Sequence, residues 1–195
     1  MTDAAVGRLL VASLHQGIAD LLPMRLEFYE VWLHPSGLRE GRIGLAPLAA
    51  VLSFLRLEGP PYYLIAARAG EYTADWTVAG LSPIRKWLIR AAPPALRMRL
   101  VAGVAQWMVR STYGDTSVNV QWRQWRGAVD LRSSLFCEVR ERVDSPLCEF
   151  YASALRRLMS LFDLEADVVT DQCRATGGAS CAMSVIVRPA TPHGT

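Results

Sequence analysis

The sequence predicts an α+β fold in which an antiparallel β-sheet of about four or more strands packs against helices. Two observations predict it. Apolar residues recur at helical spacing through much of the chain before Gly114, whereas after Gly114 the period changes to two. Two cysteine-bounded apolar runs near the end of the sequence then add a second strand pair.

Leu9, Leu10, Ser13, Leu14, Ile18 and Leu21 follow helical spacing and predict an amphipathic helix over about residues 3–22. Residues 24–33 read as extended. Residues 45–57 are apolar on nearly all sides, which suits a buried helix that stops at Gly59-Pro60. Ser82-Pro83 is a helix start, with a serine cap and a proline in the first turn, and Ile84, Trp87 and Leu88 are expected to form its buried face. A further helix follows Pro93-Pro94, with Leu100, Val104, Trp107 and Met108 as its apolar stripe. Val118, Val120 and Trp122 alternate with polar neighbours, and after Gly127 the alternation runs from Val129 through Leu135 and Cys137 to Val139. These two runs form a hairpin. Ser145-Pro146 starts a helix with Leu147, Tyr151, Ala154, Leu155, Leu158 and Phe162 inside, and strands follow over about residues 166–173 and 181–187.

At 195 residues and 21.5 kDa the chain suits one domain, over residues 1–188, followed by a short tail at 189–195 that is expected to fray. Its 51% hydrophobic and 20% charged composition argues against disorder, and the apolar excess suits a pocket or an interface. No apolar run reaches the roughly eighteen residues of a membrane span. With no leader-like start, the expected location is the cytoplasm. The formal charge is +3, and Lys86 is the only lysine. Between Asp75 and Asp115 there is no acidic residue, yet Arg85, Lys86, Arg90, Arg97, Arg99 and Arg110 all fall there. This basic island suits carboxylates, an anionic lipid surface or an acidic partner, or is simply a solvated helix face.

Cys173 and Cys181 bracket a glycine-containing turn that brings their sulfurs within reach of one ion, and Cys148 lies at the start of the preceding helix. Three thiolates on a soft divalent cation such as zinc are chemically reasonable, while a buried cysteine is also often only a small hydrophobe. Cys137, alternating with Leu135 and Val139, reads as a core residue. The run Pro146-Leu147-Cys148-Glu149-Phe150-Tyr151, followed by Cys173-x-Ala175-x-Gly177-x-x-x-Cys181, resembles the vinyl-4-reductase domain over residues 118–187. That domain occurs in bacteriochlorophyll 4-vinyl reductase proteins and in phenol- and xylene-responsive activators, and TRAPP tethering subunits share its general fold. The resemblance implies a buried apolar ligand cavity and a zinc ion held by three cysteines and a glutamate. Cys148, Cys173 and Cys181 fall on the cysteine positions. Thr170 stands where the glutamate is expected, so Asp171 is the candidate fourth ligand, because in a regular strand it shares a face with Cys173.

Trp76, Trp87, Trp107 and Tyr72 are candidates to line the pocket, with Arg85 and Arg97 meeting a polar end of the ligand. Each aromatic is equally compatible with ordinary packing. Catalysis has little support: there is no dinucleotide or phosphate loop, no nucleophile elbow and no H-E-x-x-H. The leading expectation is a module that binds a small hydrophobic molecule, aromatic or tetrapyrrole-like, as sensor, carrier or accessory protein. The alternatives are a reductase or reductase accessory for a bacteriochlorophyll-precursor vinyl group, and a TRAPP-like interaction subunit. A homodimer and peripheral membrane contact fit these readings, and no nucleic-acid-reading motif is present.

Overall fold

The computed structural model describes residues 7–33, 44–112, 116–139 and 141–189. Among these, seven α-helices and one four-stranded antiparallel sheet pack as an α+β structure. In chain order the elements are α1 (Arg8–Leu21), α2 (Leu26–Leu33), α3 (Leu45–Leu57), α4 (Pro60–Ala79), α5 (Pro83–Ala91), α6 (Pro94–Thr112), β1 (Val118–Arg123), β2 (Arg126–Leu131), α7 (Glu149–Ser160), β3 (Leu164–Gln172) and β4 (Cys181–Pro189).

The sheet order is β1-β2-β4-β3, so the last strand inserts between the hairpin and β3. Pairings such as Val120 with Val129 and Val129 with Met183 stack apolar side chains on one face. Glu165, Asp167, Arg188, Asn119 and Gln121 alternate onto the other, wetter face. Gly127 lies under the Trp122 indole: a Cβ there would sit 2.5 Å from the ring.

α7 covers the apolar side of the sheet, and its stripe of Tyr151, Ala154, Leu155 and Leu158 is buried, as its spacing predicts. Full burial of each large side chain is worth about 1.5–3 kcal/mol. Phe136 stacks on Phe150 at 4.4 Å between ring centroids, with Tyr151 edge-on to both. Behind α7 lies α4, with α1 against its other side. The α4 sequence is rich in alanine and carries Gly70, which lets neighbouring backbones come close. A Cβ on Gly70 would meet the Phe150 carbonyl oxygen at 2.2 Å, and one on Gly17 would meet the Ile65 carbonyl at 3.1 Å.

The expected hairpin, the 45–57 helix, the Ser82 cap and the last strand pair are all present, and the Ser82 hydroxyl accepts the Arg85 N–H at 3.3 Å. Six expectations need correction. Residues 24–33 are a 3₁₀ turn and helix α2 rather than extended, since Leu26, Tyr29 and Leu33 follow helical spacing onto the core. Helix α4 has no counterpart among the expected elements: its two prolines begin the helix, where their missing N–H groups are not needed, instead of breaking the chain. Strand β2 ends at Leu131, and Leu135–Cys137 is a 3₁₀ turn. The 145–162 helix begins at Glu149, with Cys148 as its N-cap residue. Finally, α5 is inside out, because Ile89 alone is buried while Ile84, Trp87 and Leu88 face solvent. Trp107 and Leu100 on α6 are likewise exposed, although Val104 and Met108 are buried. The expected helix start at residues 3–6 and the tail from 190 lie outside the described residues.

The close approach at Gly70 should be intolerant of any side chain. Gly70→Ala is expected to destabilise the fold by about 2 kcal/mol or more, since backbone atoms must move. Gly103, mid-helix on α6 with nothing near its Cβ position, offers the control: Gly103→Ala should be neutral or stabilising by about 0.5–1 kcal/mol. Urea unfolding of both variants checks the contrast, and equal stabilities would refute the account of α4–α7 packing.

Candidate metal centre

Four chain segments deliver four thiols to one point. Cys137 ends the 3₁₀ turn after β2, Cys148 caps α7, Cys173 follows β3, and Cys181 opens β4 opposite Leu131 of β2. All four are buried, and their sulfurs lie within 4.8 Å of one another. The Sγ–Sγ distances are 3.2 Å for Cys137–Cys148, 3.5 Å for Cys137–Cys173 and 3.3 Å for Cys148–Cys173. These are far too long for a disulfide, whose sulfurs are about 2.05 Å apart. They fall just short of the edge of a zinc tetrathiolate, about 3.8 Å if each Zn–S bond is about 2.3 Å. A few tenths of an ångström of outward breathing would admit the ion.

The surrounding backbone fixes the cluster. Between Cys173 and Cys181 a tight turn folds back so that the Gly178 N–H donates to the Cys173 carbonyl at 2.9 Å and the Thr176 hydroxyl to the same carbonyl at 3.0 Å. Gly177 adopts φ +99°, a left-handed conformation that side-chain-bearing residues resist. The Arg174 N–H points at the Cys181 sulfur at 3.5 Å. From α3, Arg56 donates to the Phe136 carbonyl at 3.0 Å, holding the turn that carries Cys137. From α4, the Tyr62 hydroxyl reaches the Leu147 carbonyl, one residue before Cys148, at 3.5 Å.

Crowding splits the acidities of the four groups. Contacts from Cys137 first, then Cys148, pull the Cys173 thiol below its usual range, while Cys148 is pushed up by its contacts with Cys137 and Cys173. The Cys181 thiol is lowered as well, again by contacts from Cys137 first and Cys148 second, so the crowding divides the cluster into two groups that give up a proton more readily and two that keep it. A soft divalent ion would relieve that division by letting all four deprotonate.

The structure brings Cys148, Cys173 and Cys181 together, and it adds Cys137 to them. It keeps Asp171 apart. The β3–β4 register slips between Thr170 and Gln172, leaving Asp171 as an unpaired bulge residue. The bulge turns Cys173 to the buried side, while Asp171 stays exposed and accepts the Ser184 hydroxyl. Cys137 is buried, as expected of a core residue, but the continuous-strand reading of 129–139 hid its turn. The Ser133-Ser134 pair was the available signal that the strand ends.

The expected ligand-lining residues occupy three places. Arg85 and Trp87 share a groove of about 470 Å³ with Leu88, Leu96 and Leu100, open to solvent between α5 and α6, and Trp107 stands 51% exposed farther along α6. Tyr72 and Trp76 stack on α4 at 5.3 Å between ring centroids, and the Tyr72 hydroxyl donates to Asp20 at 2.6 Å. That bond is the main cause holding the Asp20 carboxyl below its ordinary range. Arg97 is committed to backbone, donating to the carbonyls of Arg90 at 2.7 Å and Ala92 at 3.3 Å. A separate cleft of about 1000 Å³ opens beside the thiols, between α3 and the segment after Cys137, and Cys137 itself lines it.

No protein-family model and no curated protein sequence matches the chain. Solved structures do match its fold. An H-NOX protein from Shewanella oneidensis in the Fe(II)NO ligation state aligns over 94% of this chain and 99% of its own, with TM-score 0.61 and 14% identity. An unliganded Fe(II) H-NOX protein from K. algicida covers 97% and 100%, with TM-score 0.60 and 11% identity. A trafficking protein particle complex subunit 3 from Naegleria fowleri, covalently bound to palmitic acid, covers 72% and 81%, with TM-score 0.50 and 13% identity. At these identities the likeness is one of fold, and it agrees with the expected TRAPP-like architecture.

The chain purified with zinc in its buffers should contain about one zinc per molecule by elemental analysis. Cys137→Ser should lose metal as completely as Cys173→Ser, whereas Asp171→Asn should retain it. Retention should fall as pH is lowered, because protons compete for each thiolate. Full metal content in Cys137→Ser would restore the three-cysteine reading.

Proposed function

We propose that residues 1–188 act as one small-molecule-binding domain, in which a zinc tetrathiolate formed by Cys137, Cys148, Cys173 and Cys181 pins one wall of a ligand cleft. Its role is that of sensor, carrier or accessory protein, in keeping with the vinyl-4-reductase-like cysteine pattern. The observation that carries the reading is the double position of Cys137, which belongs to the buried thiol cluster and lines the cleft of about 1000 Å³. Phe54 and Leu57 of α3 and Val139 give that cleft apolar surface, and its cations, Arg56, Arg142 and Arg174, outnumber its carboxylates, Glu138 and Glu141. This combination suits an apolar body with one acidic or hydrogen-bonding end, such as a phenol or a fatty acid. Two of the fold neighbours support ligand capture in general, one in an Fe(II)NO state and one carrying palmitic acid.

The residues present fit zinc better than an iron tetrapyrrole. Among the described residues the one histidine is His15, whose Nε2 is engaged by Glu30 at 2.8 Å, and the α4–α7 interface is closed where Gly70 meets Phe150. When bound, zinc would supply cross-linking of the four segments. The chain's own residues would then do the selecting, with Phe54 packing the apolar body and Arg142 orienting the polar end.

Zinc-loaded protein should bind at least one of phenol, naphthalene and palmitate saturably in isothermal titration. Phe54→Ala should weaken that binding roughly tenfold, the loss of about 1.4 kcal/mol of apolar contact. Arg142→Ala should affect phenol and palmitate more than naphthalene. Removing zinc with a strong chelator should weaken binding and lower the melting temperature together. If none of the three compounds binds to the zinc-loaded protein, the ligand-binding reading fails.

A further inference from the structure

Helices α5 and α6 turn their apolar residues outward. On α5, Ile84, Trp87 and Leu88 lie on one face, and Trp87 is 66% exposed. On α6, Leu96, Leu100 and Trp107 continue that outward side at helical spacing, with Gly103 between them and nothing near its Cβ position. The two faces meet in the groove that Trp87, Leu88, Leu96 and Leu100 line. An apolar surface of this extent, carrying two indoles, is not how a helix pair ordinarily meets water.

Its charge is as distinctive as its apolarity. Exposed Arg85, Arg99 and Arg110 stand among these side chains, and no carboxylate among the described residues pairs with them. The sequence from Trp76 to Gly114 contains no aspartate or glutamate at all. Arg97 and Arg90, by contrast, spend hydrogen bonds on backbone carbonyls, and among the described residues Arg97 alone of the segment's cations approaches a carboxylate, Asp163 at 4.0 Å.

We propose that the outward face of α5 and α6 docks on an anionic lipid bilayer, with Trp87, Trp107, Ile84 and Leu88 entering the interfacial zone and Arg85, Arg99 and Arg110 meeting lipid phosphates. Indoles are favoured at the headgroup level, and a cation-rich amphipathic face lies in the interface plane. Charge complementarity selects this occupant over a second copy of the chain. A two-fold pairing would set the unpaired arginines of one face against those of the other. The contact is peripheral, since no described helix is long and apolar enough to cross a membrane. This surface shares no residue with the cleft beside Cys137, so the proposal stands apart from the ligand-binding reading.

The test is co-sedimentation of the full chain, as purified, with vesicles, read alongside tryptophan emission. Vesicles of phosphatidylglycerol and phosphatidylcholine at about 30:70 should carry the protein down with a blue-shifted emission, and about 0.5 M salt should release it, as expected for screened phosphate contacts. Pure phosphatidylcholine should bind far less. Trp87→Ser/Trp107→Ser should weaken partitioning at least about tenfold, and Arg85→Gln/Arg99→Gln/Arg110→Gln should lose roughly fivefold per arginine. Trp76→Ser, on α4 and outside the groove, should bind like the parent. Because all the substituted side chains are exposed, thermal unfolding should be unchanged in each variant. The proposal is overturned if the parent stays in the supernatant with anionic vesicles at low salt, if neutral vesicles bind it equally, or if the variants partition like the parent. A dimer that disappears in Trp87→Ser/Trp107→Ser, or capture by poly-glutamate, with no vesicle binding in either case, would assign the face to a second copy or to an acidic protein and overturn it too.

Discussion

Four sulfur atoms held within 4.8 Å of one another in a buried site set the terms for the rest of the C-terminal half. As thiols they pack poorly together, since each needs a partner for its weak donor. As thiolates they repel unless a cation sits among them. The segments that supply them have little else in common: a 3₁₀ turn, a helix cap, the end of one strand and the start of another. Between Glu141 and Leu147 the chain has no regular structure, and the Val143 N–H bond to the Ala175 carbonyl at 2.9 Å is its tie to the cysteine turn. Without a common bond at the sulfurs, that stretch would rest on few contacts. Arg56 and Tyr62 extend the dependence to α3 and α4, because the carbonyls they hold belong to residues directly before Cys137 and Cys148.

Periodicity made much of this legible, and its failures have identifiable causes. The hairpin, the α7 stripe and the cysteine-bounded strands were readable because each has one buried face and one wet face, which writes a clean alternation into the sequence. Helix α4 was not, because it is buried against neighbours on both sides and uses alanine and glycine where an amphipathic helix would show leucine. Residues 24–33 misled through their aromatic and β-branched content, which favours strands in isolation, while Tyr29 and Leu33 find the core only at helical spacing. The fourth thiol was hidden by a strand that stops four residues before the 3₁₀ turn.

A different limit applies to α5. A helical stripe in a sequence says that apolar residues share a face, not which way that face points. For Ile84, Trp87 and Leu88 the usual assumption, that the stripe is buried, gives the wrong side. The deciding information lies in the neighbours. The segment's cations, Arg85, Lys86 and Arg90, have no acidic neighbours in the sequence around them, and Ile89 is the one residue of the short helix that is buried.

The bulge at Asp171 decides what kind of metal centre the cluster can be. Had β3 run regularly, Cys173 would have shared the exposed face with Asp171, and a carboxylate could have completed the site from the solvent side. By inserting one unpaired residue, the strand turns Cys173 inward and leaves Asp171 to Ser184. Cys137 is then the fourth sulfur of the cluster, and a metal bound by all four would be closed. A closed tetrathiolate has no open position at which to polarise a substrate, so its contribution lies in holding geometry. On the proposed reading, recognition would then lie outside the metal's coordination sphere, on the wall that Cys137 presents to the cleft. If a metal is held there, its loss on acidification or thiol oxidation would free the four segments that it joins, the Cys137 wall among them.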